Sequence, residues 1–221
     1  MIQEIKIKHG NLDLEGHLSS PESPRGWVIF AHGSGSSRKS SRNNWVAGEL
    51  NKSGFATLLF DLLTLDEDSV YQNRFNIPLL ADRLLSATKW LLASDYYHGE
   101  PLAYFGASTG AGAALIAAAR ADASWPLYTV ISRGGRPDLA GEDYLKDISV
   151  PVLLIVGSLD HQVIQLNQFA ENYLTNVKLS LVEGATHLFE EPGTLNEVVR
   201  ICIQWLDEKL PDQKEASVWH H

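Results

Sequence analysis

Residues able to carry acyl-transfer chemistry fall at four places in this chain. Gly106-Ala107-Ser108-Thr109-Gly110 has the G-x-S-x-G pattern that raises a serine hydroxyl on a sharp strand-to-helix turn. Such a hydroxyl is a weak nucleophile until a neighbouring base takes its proton. Of the eight histidines, His187 in Glu183-Gly184-Ala185-Thr186-His187 is the candidate base. His9 and His17 belong to an N-terminal hairpin pattern, His98 to a surface turn, and His220 and His221 to the tail. The imidazole in turn needs a carboxylate to fix its tautomer and stabilise its charge. Asp160, in Gly157-Ser158-Leu159-Asp160-His161, is the first choice for that role. Asp61 is the second, Glu190 and Glu191 are further rivals, and His161 is a neighbour of the site rather than its base.

The fourth place is His32-Gly33-Ser34-Gly35-Ser36-Ser37. A tetrahedral intermediate needs preorganised donors for its oxyanion, commonly two backbone N–H groups. Thr109, directly after the serine, supplies one, and Ser34 in this loop supplies the other. His32 is expected to brace the loop rather than to move protons. A phosphate-binding loop is the rival reading, but the P-loop lysine and spacing are missing.

The elements between these motifs must bring them together. Ile2, Ile5 and Ile7 lead into His9-Gly10-Asn11, and Leu12, Leu14 and Leu18 return, as in a hairpin. Apolar runs follow at WVIFA (27–31), ATLLF (56–60), LAYF (102–105), YTVI (128–131) and VLLIV (152–156), with a more mixed run, VKLSLV, at 177–182. Runs without alternation are buried on both faces, the mark of a parallel sheet covered by helices. Helical patterns lie between them at 44–53, from Pro78 to Leu91, at 108–121, 163–174 and 194–210. Trp45, Val46 and Leu50 mark the first, and Val198, Ile201, Trp205 and Leu206 are expected to face inward in the last. Strands alternating with helices predict an α/β fold with right-handed crossovers. Ligand-handling groups then collect at the carboxyl ends of the strands, where all four motifs stand.

A length of 221 residues fits one domain, at 1–211, followed by a tail at 212–221 whose end resembles an expression tag. The net charge of -9 argues against a nucleic-acid partner, which would select a basic face. No segment reaches the ~20 apolar residues of a membrane span, and MIQEIKIKHG lacks the apolar core of a signal peptide. The single cysteine, Cys202, cannot form an internal disulfide. A cytoplasmic protein that acts away from membranes is the expectation, alone or as a homodimer.

The HGSGSS, GASTGA, GSLDH and GATHLF segments together resemble the α/β-hydrolase superfamily, in its dienelactone-hydrolase-like branch. The likeness spans nearly the whole chain, and serine, acid, histidine is the chain order of that superfamily. It implies an eight-stranded, mostly parallel sheet flanked by helices, an activity on small-molecule esters or lactones, and neither cofactor nor metal. Dienelactone hydrolases proper carry cysteine where this chain has Ser108, and Cys202 lies far away in the last helix. The broader class of small serine esterases is therefore the better match. Acyl transfer or amide cleavage would use the same triad. A ligand-binding relative without turnover is the alternative from another class.

Two features bear on substrate. Between Ile131 and Val152 lie only Ser132-Arg133-Gly134-Gly135-Arg136-Pro137 and a short helical piece, which leaves no room for a lid. Basic residues also stand on two loops of the expected catalytic face: Arg133 and Arg136 on one, Arg38, Lys39 and Arg42 on the other. They suit an anionic substrate, with Arg133 as the binding residue, or they pair with surface acids such as Asp138, Glu142 and Asp143.

Overall fold

A computed structural model describes residues 2–211; the tail read at 212–221 lies outside the described residues. Eight strands form one sheet: β1 (Ile2–His9), β2 (Leu12–Ser19), β3 (Trp27–Ala31), β4 (Ala56–Phe60), β5 (Leu102–Ala107), β6 (Leu127–Arg133), β7 (Val152–Gly157) and β8 (Val177–Val182). Their spatial order is β1-β2-β4-β3-β5-β6-β7-β8. The hairpin β1–β2 joins β4 antiparallel, and every pairing from β4 to β8 is parallel. The expected apolar runs are these strands, and β3, β4, β5 and β7 are buried along their whole length. The mixed run forms β8, a half-exposed edge. In the hairpin Ile7, Leu14 and Leu18 turn inward, but Ile2 is exposed.

Helices cover both faces. On one, α1 (Ser41–Lys52) and α7 (Thr194–Lys209) enclose a core of Phe30, Val46, Phe105, Ile155, Val198 and Leu206. In α7 the buried Val198, Cys202, Trp205 and Leu206 recur at helical spacing, with Ile201 half-buried beside them. Trp45 of α1 points outward. On the other face lie α3 (Ile77–Leu92), α4 (Thr109–Ala119), α5 (Glu142–Asp147) and α6 (His161–Glu171). Their core holds Leu84, Tyr104, Leu115, Leu145, Leu154 and Ala170. The connection from β6 to β7 holds only a 3-10 turn and α5, so no lid stands there.

Sequence patterning left residues 61–76 without elements. They form α2 (Leu65–Asp68) and a 3-10 turn at Tyr71–Phe75. Thr64 caps α2 by accepting from the Glu67 N–H while Glu67 bonds back to the Thr64 N–H. This reciprocal cap is written in the sequence as Thr-x-x-Glu.

The strand order reverses around β3, whose neighbours are β4 and β5. The loops after β3 and β5 therefore meet at the crevice where such sheets bind ligands. Close approach there depends on glycine. A methyl group on Gly106 would lie 2.3 Å from Cα of Ala111, and one on Gly110 would lie 2.2 Å from the Ala31 carbonyl oxygen. Helix propensity alone would make Gly110→Ala stabilising by about 1 kcal/mol. The contact reverses the sign: we expect a loss of at least about 1–3 kcal/mol, read by urea denaturation. A variant as stable as wild type would show that the loop after β3 yields freely.

Candidate active site

Ser108 sits between β5 and α4 with φ +52° and ψ −122°, a conformation that an L-residue holds only when its surroundings over-determine it. Two backbone bonds do so, from the last residue of β6 and from the turn after it. The Ser108 N–H donates to the Arg133 carbonyl at 3.2 Å, and the Arg136 N–H donates to the Ser108 carbonyl at 3.1 Å. That turn is itself tight, because a methyl group on Gly135 would lie 1.9 Å from Ser132 Oγ.

The acid and the histidine come from loops after β7 and β8. Leu159 N–H donates to the Ala185 carbonyl, and Gly184 N–H donates to Ser158 Oγ at 2.9 Å, which stitches the two loops together. Asp160 stands just before α6. Its Oδ2 lies 2.7 Å from His187 Nδ1, and His187 Nε2 lies 3.4 Å from Ser108 Oγ. The three side chains thus form one line of contacts, carboxylate to imidazole to hydroxyl. A bond of 3.4 Å is long, as such bonds often are before substrate tightens them.

The rival groups are engaged elsewhere. Asp61 accepts from the Arg38 N–H at 2.7 Å and from the Arg38 guanidinium. Glu190 pairs with Arg42, and Glu191 accepts from Thr186. His161 is exposed at the start of α6. His32 is buried; its Nε2 accepts from the Leu62 N–H at 3.0 Å, and its Nδ1 lies 2.9 Å from the Gly33 carbonyl. It ties the loop after β3 to the chain after β4. Burial holds its imidazole below the ordinary value.

The two residues expected to receive an oxyanion touch each other. Ser34 N–H donates to Thr109 Oγ1 at 2.8 Å, so the threonine hydroxyl occupies that donor at rest. The Thr109 N–H, in the first turn of α4, is one of the donors that a helix leaves unpaired. Gly33 lies against the serine: a methyl group there would be 3.1 Å from Ser108 Cβ.

Ser34, Ser108, Arg133 and His187 line one cleft of about 260 Å³, together with Gly33, Arg42, Asn43 and Leu188. Arg133 corrects an expectation. It is the last residue of β6 rather than a rim residue beyond the strand, and it is only 8% exposed. The other basic residues mostly face acids: Arg38 meets Glu15 and Asp61, Arg42 meets Glu190, and Arg136 grips Asp138 through two bonds. Lys39 is exposed.

Sequence patterning also missed Phe189. It is buried, with φ +55°, two residues past His187, where it anchors the histidine loop in the core. Nothing local in the sequence marks it. Asn167 of α6 was missed as well; its amide donates to the Gly135 carbonyl at 3.0 Å and supports the turn after β6.

The profile of the alpha/beta hydrolase domain family matches residues 24–203. A solved dienelactone hydrolase from Anabaena variabilis is 44% identical, covering 96% of this chain and 99% of that one, with a TM-score of 0.90. Est1E from Butyrivibrio proteoclasticus is 17% identical over 93% and 98% of the two chains, with a TM-score of 0.79, a likeness of fold. A Mycobacterium tuberculosis protein named "Putative phosphoribosyl transferase" is 52% identical over 94% of this chain. The chain spans 46% of that relative, about half its length. Among the described residues no His, Cys, Asp and Glu cluster able to hold a metal occurs, and no helix is long and apolar enough to cross a membrane.

The buried His32 gives a pH dependence with a definite sign. Its folded-state value is below 6.5, so at acid pH the unfolded chain binds more protons than the folded one. Its contribution to stability is intact above 6.5 and declines as pH falls below it. Between pH 7.5 and 5, Tm of wild type should therefore fall more steeply than Tm of His32→Gln, whatever the variant loses at pH 7.5. Parallel slopes would remove His32 from the acid response.

Proposed function

The chain belongs to the alpha/beta hydrolase domain family, in its dienelactone-hydrolase-like branch, and we propose on that footing that it is a serine hydrolase of small carboxylic esters or lactones. The observation that carries the proposal is the contact line from Asp160 through His187 to a strained Ser108 inside one cleft. Ser108 Oγ attacks the carbonyl carbon as His187 Nε2 takes the hydroxyl proton, and Asp160 holds the resulting imidazolium. The Thr109 and Ser34 N–H groups receive the oxyanion, for which Thr109 Oγ1 gives up its own bond to Ser34. His187 passes the proton to the leaving alkoxide, and an acyl-enzyme remains. Water, deprotonated by the same imidazole, then releases the acid and restores the serine.

Support for esters comes from the Anabaena variabilis relative, which shares nearly its full length with this chain. The transferase named for the Mycobacterium tuberculosis relative belongs to a protein about twice as long and is not carried over. The cleft takes small molecules, consistent with the absence of a lid between β6 and β7. A lone buried Cys202 suits a reducing compartment, and we place the protein in the cytoplasm.

Turnover of three variants and covalent labelling test this reading. Ser108→Ala removes one hydroxyl, so circular dichroism and Tm should stay close to wild type while kcat on a short acyl ester falls on the order of 10⁶-fold. A fluorophosphonate probe should label wild type and not the variant; an unlabelled wild type would favour a binding protein without turnover. Asp160→Asn should lower kcat about 10⁴-fold by permitting the wrong histidine tautomer. Asp61→Asn, which disturbs the contact with Arg38, should cost far less. The reverse order would make Asp61 the acid.

A further inference from the structure

Among the described residues two asparagines are buried, and the fold uses the side chain of one. Asn167 is fully buried, and its amide donates to the Gly135 and Val163 carbonyls. Asn43, in the first turn of α1, is 2% exposed. Its backbone N–H donates to Ser40 Oγ at 3.3 Å. Its side-chain amide has no hydrogen bond to any described residue, and its Oδ1 is enclosed without a partner. The neighbours on either side are engaged: Arg42 pairs with Glu190, and the Asn44 amide donates to the Arg38 and Ser40 carbonyls.

A buried amide left unpaired costs stability that an apolar side chain of the same shape would not. Its retention calls for a partner that the chain itself does not supply. Asn43 lines the cleft that holds Ser108 and His187. A half-turn about its terminal bond exchanges Oδ1 and Nδ2, so it can offer that cleft an acceptor or a donor. Ser34, Ser36 and Ser40 line the same cleft. The wall from the loop after β3 to the start of α1 therefore carries three hydroxyls and one amide, all neutral, and each able both to donate and to accept. Hydroxyl groups on a ligand match such a wall, because they too donate and accept. An alkyl chain would strip water from it and return no bond. Leu188 is the one large apolar side chain in the lining, and it is 42% exposed.

We propose that Asn43, with Ser36 and Ser40, forms a hydroxyl-recognition subsite in the cleft of Ser108, and that the substrate is an ester or lactone carrying one or more free hydroxyl groups. The substrate class rests on the hydrolase reading above; the subsite itself does not.

The test has a turnover arm and a binding arm. In the first, acid release is followed for propyl acetate against 2,3-dihydroxypropyl acetate, and for ethyl butyrate against ethyl 3-hydroxybutyrate. Each rate is divided by that of alkaline hydrolysis of the same ester. The two pairs place the hydroxyl on the alcohol side and on the acyl side. Wild type should favour at least one hydroxylated ester over its plain counterpart by tenfold or more, since a site built to bond a hydroxyl rejects the analogue without it. Asn43→Leu, of similar volume, and Asn43→Ala, which cannot clash, should each penalise that ester at least tenfold more than the plain one. Equal penalties would overturn the proposal. In the second arm, Ser108→Ala is titrated with the same esters. At least one hydroxylated ester should shift the Asn43 side-chain amide signals in a nitrogen–proton NMR spectrum, with a Kd at least tenfold below that of its plain counterpart. Signals that move for no ester would overturn the proposal. Without ligand, at least one of the two Asn43 variants should melt within about 2 °C of wild type. Large drops in both would make Asn43 structural and overturn the proposal too. If wild type cleaves no ester yet a hydroxylated one shifts the Asn43 signals, the subsite stands and the hydrolase reading fails. If wild type cleaves every ester without preference, the hydrolase reading stands and the subsite fails.

Discussion

Everything at this site depends on one backbone constraint, the positive φ of Ser108. An L-serine reaches φ +52° only against local preference, at a cost of order 1–3 kcal/mol. The surroundings must therefore hold it, and they do so from three directions. The end of β6 and the turn after it bond to both peptide groups of the serine. Gly106 and Gly110 let α4 and the loop after β3 come closer than any side chain would permit. Nine of the eleven residues of α4 are buried, six of them alanine or glycine, so the helix cannot slide away from the sheet. Strain at the hydroxyl is thus balanced by packing in the middle of the domain.

A second layer is electrostatic. The acids that could compete for His187 are each committed: Asp61 to Arg38, Glu190 to Arg42, Glu191 to Thr186. Among the described residues, Asp160 is the acid left facing the imidazole. His32 serves the same end from inside, because its neutral ring joins two loops that a charged ring would force apart. Arg133 is the exception to this pairing, since its buried Nη1 has no hydrogen-bond partner.

Much of this was legible in the sequence, for a physical reason. Strands buried on both faces must be apolar throughout, so β3, β4, β5 and β7 could be read directly from their letters. The four motifs stood at strand ends, and the fold brings Ser108, Asp160 and His187 together as that placement required. Contacts set by tertiary geometry were not legible. Nothing in HGSGSS says that Ser34 N–H points at Thr109 Oγ1, and nothing beside His187 marks Phe189 as a buried residue with positive φ. Arg133 looked like a loop residue because a charge inside a strand usually signals its end; here the strand runs two residues past the apolar run and carries the charge inward. Residues 61–76 lacked a long period, so only the Thr64–Glu67 cap could have revealed α2.

The sheet order carries a consequence for how activity is lost. Ser108 rides on β5, in the interior of the sheet, while His187 follows β8, its half-exposed outer strand. Proteins open locally before they unfold globally, and segments with few buried neighbours open first. Loosening of the β8 margin would carry the imidazole away from a hydroxyl whose own scaffold stays folded. Activity would then be lost at the margin, with a thermal half-life set by the opening of one strand rather than by the melting of the domain.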